Sequence, residues 1–152
     1  MTSNQHDIDT LNSLIETVID SADGYQHAIK ETDTSRFSEI FARRGAERQL
    51  LTEQLQAQVR ALGGSPEDDG TMLASAHRMF LNLRHAVAGG DQAVIDEVES
   101  GEDHIKAKFE DAMQDMEVSA TTRTIIEDAY DIVKDGHDEI RDLKHAMHGG
   151  ER

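Results

Sequence analysis

The chain has 152 residues, and 15 Lys and Arg against 31 Asp and Glu leave a net charge of −16 before histidine. It contains no cysteine, no tryptophan, one proline, two tyrosines and four phenylalanines. These counts exclude a disulfide scaffold, a thiolate nucleophile and a Cys-ligated zinc or iron–sulfur centre. The acidity sets aside nucleic acid and anionic membrane as partners, because either needs a basic patch. No apolar run approaches the ~20 residues of a bilayer span. Residues 1–10 show neither the basic region nor the apolar core of a signal peptide. A single cytoplasmic domain over residues 1–152 is therefore expected.

Taken in chain order, the apolar residues recur at three- and four-residue steps. The first segment runs Ile8, Leu11, Ile15, Val18, Ala22, Tyr25, Ile29, and the second carries Phe37, Ile40, Phe41, Leu51, Leu55, Val59 and Leu62. A shorter third has Leu73, Ala76, Phe80, Leu83 and Val87. The fourth shows Val94, Val98, Ile105, Phe109, Ala112 and Met116, and the fifth Ile126, Ala129, Val133, Gly136, Ile140, Leu143 and Met147. Strand-like alternation persists nowhere, so the chain is all-α. Gly63-Gly64, Gly89-Gly90 and Gly149-Gly150 follow periodic segments where helices end, while Asp7, Asp33, Thr71, Asp91 and Ser119 stand where N-caps belong. Long helices are expected at about 7–31, 34–62, 91–116 and 119–148, with a shorter connecting helix at about 71–88. Two helical hairpins joined by a connector that returns along the bundle give four long helices running up, down, down, up. A plain up-down array of five helices is the alternative.

Glycines 24, 45, 101 and 136 fall inside the long helices, where each is disfavoured by ~1 kcal/mol relative to alanine. One near the middle of each helix points to a shared layer where backbones approach or side chains need room. Polar residues interrupt the apolar stripes at similar depth. Glu47 and Arg44 lie on the inward side of the second segment, with Arg48 projecting toward the same face. Glu102 breaks the stripe between Val98 and Ile105, with Glu99 at its flank, and His137 sits beside Gly136. Asp23 edges the first stripe. A buried carboxylate needs a cation or a hydrogen-bonded partner. The layer can therefore hold iron or another divalent metal through Glu47, Glu102 and His137, with Glu99 or Asp23 completing the shell. Otherwise it neutralises itself through Arg44, Arg48 and His137 as a salt-bridge network, with no cofactor at all.

Carboxylate-bridged di-iron bundles supply one Glu and one Glu-x-x-His from each half. Here Glu47-Arg-Gln-Leu50 has leucine in the histidine place, and Lys134-Asp-Gly-His137 has lysine in the glutamate place. Both motifs are broken, which argues against an oxidase.

The chain resembles a bacterial ferritin-like four-helix-bundle family that is carried as a domain of unknown function. The resemblance rests on Thr10-Leu-Asn-Ser-Leu-Ile-Glu-Thr-Val-Ile-Asp20 with Asp23-Gly24-Tyr25, on residues 55–64 with Ser65-Pro66-Glu67-Asp68, and on His77-Arg78. It continues in Glu99-Ser-Gly-Glu-Asp103 and His137-Asp-Glu-Ile-Arg141. It implies a ferritin-like bundle with a short connecting helix, it carries no established reaction, and it points to Glu99, Glu102 and His137 as polar interior positions.

Two functions follow as expectations. One is a non-catalytic bundle that acts by self-association or partner binding, with a role under stress. The other is a metal-binding or iron-oxidising protein using the core layer. A homo-oligomer is expected through an apolar edge such as Leu14, Ile19, Leu81 and Ile132. His145 and His148 read as inert tail histidines, and Met72, Met79, Met113, Met116 and Met147 as core filler.

Overall fold

Four apolar stripes with helical spacing wind into four α-helices in a computed structural model that describes residues 2–70 and 90–149. They are α1 (Thr2–Glu31), α2 (Ser35–Ala61), α3 (Asp91–Met113) and α4 (Ala120–Gly149). No strand occurs among the described residues. The connecting helix expected at about 71–88 lies outside them, as do Thr71, Met72, His77, Met79 and Leu81.

The turns follow from local chemistry. At the end of α2, Gly63 takes φ +88°. Its N–H bonds the Arg60 carbonyl and the Gly64 N–H bonds that of Val59, the paired closure that a glycine beyond the last helical residue permits. At the start of α4, the Ser119 hydroxyl accepts the Thr122 N–H at 3.3 Å, as its expected capping role requires. Asp33 does not cap α2; Thr34 occupies that place. Helix α1 begins five residues earlier than the sequence pattern implies, so Asp7 lies within it. Helix α3 stops at Met113, which leaves Met116 in the turn and 86% exposed, while Val118 enters the core instead.

Contacts at the helix ends fix the directions. Thr32, just beyond α1, bonds Asp91 at the start of α3, and Asp7 near the start of α1 bonds Ser119 and Thr122 at the start of α4. Thus α1 runs antiparallel to α2 and to α3, and α3 antiparallel to α4. These three pairs pack closely. Helices α2 and α4 meet mainly through side chains, with Arg44 on Glu139 at one level and Arg48 on the Val133 carbonyl below it.

The apolar core divides in two. One cluster gathers Leu11, Ile15, Val18, Leu55, Ile105, Phe109, Ile126 and Val133, and the other Tyr25, Phe37, Phe41, Ile95, Ile140 and Leu143. The boundary between them is polar, and it is the feature that any function of the bundle interior has to use.

Candidate functional site

The dividing layer draws on all four helices. Arg48 of α2 is 0% exposed and Glu102 of α3 is 2% exposed. The Arg48 Nη2 donates to Glu102 Oε2 at 2.9 Å and to the Val133 carbonyl of α4 at 3.4 Å. Its Nη1 donates to Ser21 Oγ of α1 at 3.1 Å. The second carboxylate oxygen, Oε1, accepts the Tyr25 hydroxyl at 2.6 Å. The guanidinium also stands 5.9 Å from the centre of the Tyr25 ring, within cation–π range. Burial, and then the Glu102 carboxylate, hold the Tyr25 phenol well above its usual acidity range, while Arg48 only partly offsets them. Tyr25 therefore acts as a fixed donor.

Two of the interior glycines explain how so large a group fits. A Cβ at position 136 would run into the Arg48 guanidinium, and one at 45 would stand 3.1 Å from the Tyr25 Cβ. The expected shared glycine layer holds at these two positions: Gly136 makes room for Arg48, and Gly45 for Tyr25.

The remaining sequence-selected residues surround this centre with separate partners. Glu47 is more open than expected, with its side chain one-third exposed; it pairs with Arg44 at 3.0 Å. Arg44 in turn donates to Glu139 at 2.8 Å. Desolvation works against the charged Arg44, but its bonds to Glu139 and Glu47 outweigh it and raise its pKa. His137 bridges Asp103 of α3 at 2.7 Å and its neighbour Asp138 at 3.1 Å. The Lys134 and His137 bonds lower Asp138 to about 2. Glu99 accepts Lys144 at 3.0 Å. Asp23 lies on the exposed side of α1, its pKa raised by partial desolvation and by Asp20. Arg48 and Glu102 come together; Glu47, His137, Glu99 and Asp23 each go elsewhere.

Sequence reasoning missed a second set of polar contacts at the ends of the bundle. Asp7 is 2% exposed and accepts the Ser119 N–H and the Thr122 hydroxyl, each at 3.0 Å. At the other end Asp91 gathers the turn between α1 and α2, accepting the Thr32 hydroxyl at 2.7 Å, the Asp33 N–H at 3.2 Å and the Thr34 hydroxyl. In both, desolvation opposes ionisation and the hydrogen bonds overcome it, lowering the pKa. His6 joins Asp115 at 2.7 Å beside Asp7. Together with Glu117 they form the one group of three potential metal-ligand side chains among the described residues, their ligand atoms all within 4.8 Å of one another. A signal for Asp7 was present, because 7, 11, 14 and 18 continue one helical stripe.

No described helix is long and apolar enough to cross a membrane. Residues 6–115 match a family described as a domain of unknown function (DUF2383), and the chain belongs to it. The matched span takes in Tyr25, Arg48 and Glu102 but ends before Gly136 and His137. No curated protein and no solved structure matches.

Proposed function

We propose that this member of the family is a non-catalytic ferritin-like bundle. In this reading residues 1–152 form one cytoplasmic domain with an up-down-down-up order, the segment at about 71–88 being its connecting helix. Its interior layer is a salt-bridge network in the place where related architectures hold metal. The protein works through its surface, by self-association or by binding a partner, with a role under stress. The observation that supports this is the Arg48–Glu102 contact of 2.9 Å between two fully buried side chains. An arginine already supplies the positive charge that a buried carboxylate requires, and Tyr25 occupies its other oxygen.

The competing reading places iron or another divalent metal among Glu47, Glu102, His137, Glu99 and Asp23. Elemental analysis of protein purified without chelator, repeated after adding Fe²⁺, separates the two. Less than ~0.1 metal per chain and an unchanged melting temperature are expected, because an ion with no site on the native state does not stabilise it. A rise in melting temperature with Fe²⁺ that disappears in Glu102→Ala would contradict the salt-bridge layer.

A further inference from the structure

The outer face of α2 carries an exposed strip without charge. Leu50 is 54% exposed, and Gln54, Ala57 and Ala61 follow it along one exposed face at steps of four, three and four residues. No charge interrupts this strip, although 30% of the chain is charged. On one flank it borders an apolar groove of about 340 Å³ between α2 and α4, lined by Leu51, Leu55, Ile125 and Ile132, with Asp128 the single ionisable side chain in its wall. On the other flank stand Glu53 and Arg60, both exposed. Neither has an ion-pair partner among the described residues.

We propose that two copies pair their α2 helices antiparallel across residues 50–61, about a two-fold axis level with residues 56 and 57. This rests on the self-association reading above and moves its surface away from the edge expected at Leu14, which is 3% exposed and belongs to the core. In an antiparallel two-fold pair, like flanks face each other. The axis then sets Glu53 opposite the partner's Arg60, and Arg60 opposite the partner's Glu53, so that two reciprocal ion pairs edge the uncharged strip. Leu50 then lies about 3 Å along the helix axis from level with the partner's Ala61, whose small side chain leaves room for it. Two chains of charge −16 repel unless they meet where charge is absent or opposite, and the strip with its flank meets both conditions. A basic partner would find Asp128 alone lining the groove, too little to anchor it.

Sedimentation equilibrium of the full chain tests this, using the wild type, Leu50→Glu, Glu53→Arg, Arg60→Glu and the double reversal. The wild type is expected to form a dimer of the 16.9 kDa chain, and Leu50→Glu to be monomeric. Each single reversal should weaken association about tenfold or more, and the double reversal should restore it. These side chains are exposed, so urea midpoints close to wild type are expected and show that loss of association is not loss of fold. If the wild type dimerises and Leu50→Glu or the single reversals do so equally well, the surface is overturned while self-association stands. If the double reversal stays as weak as the singles, the antiparallel register is overturned. A wild type that remains 16.9 kDa at all concentrations overturns both.

Discussion

The middle of the bundle and its two ends use the same chemistry, a carboxylate satisfied by donors from other helices, with opposite energetic character. In the middle, Glu102 and Arg48 are both sealed from water, so neither can be rehydrated if the other is lost. At the ends, Asp7 and Asp91 hold turns through hydroxyls and backbone N–H groups, and His6 and Asp115 meet at the surface. The buried pair adds little net stability compared with a well-packed apolar layer, because desolvating both ions consumes most of their attraction. It fixes which residues face one another. The end contacts are the titratable part of the fold.

Perturbing four features sharpens that contrast. The largest effect is expected at the centre. Removing one member of the pair, as in Arg48→Met or Glu102→Leu, should cost about 3–5 kcal/mol in urea unfolding, since the survivor is left buried without its counter-ion. Next comes Gly136→Ala. Helix propensity alone would favour alanine by about 1 kcal/mol, but its Cβ meets the Arg48 guanidinium, and overpacking costs about 1–3 kcal/mol. Net destabilisation is expected in the wild type. In the Arg48→Met background the sign should reverse, and an unchanged cost there would break the link between this glycine and Arg48.

The ends should respond less than the Arg48–Glu102 pair, and to pH. Asp7→Ala orphans the donors of Ser119 and Thr122, a loss of about 1–3 kcal/mol. The folded pKa values of Asp7 and Asp91 lie below the ordinary 3.8. Their contribution is therefore complete above that value and is lost as pH falls through the lowered folded values. A difference between wild type and Asp7→Ala that is large at pH 6 and shrinks below pH ~4 is the expected signature, read as a melting-temperature series. His6 has the opposite sign. Its pKa is raised from 6.5 by the Asp115 bond, which outweighs desolvation, and by the nearby carboxylates of Asp115, Glu117 and Asp7. His6→Ala should thus lower the melting temperature slightly below pH 6.5 and not measurably in alkaline buffer. It is the smallest effect of the four.

The helices were legible because the apolar spacing of α1 and α4 is nearly unbroken, and Glu102 was legible because it interrupts a stripe between Val98 and Ile105. The choice between Glu47 and Arg48 was not. They are adjacent in sequence, and which one turns inward depends on space left by Gly136 on another helix, a relation that no single-helix periodicity contains. Asp7 was visible on the stripe yet carried a local capping signal, and its real partners are more than a hundred residues away. Met116 was misplaced because residues 114–119 contain neither glycine nor proline, so nothing local marks where α3 stops.

The central claim is that Arg48 and Glu102 neutralise one another as a unit. A double-mutant cycle in urea unfolding, with Arg48→Met, Glu102→Leu and the combined variant, tests it most directly. Each single change is expected to lose about 3–5 kcal/mol, and the combined variant to return close to the wild type because no buried charge remains unpaired. Losses that simply add in the combined variant would contradict the account.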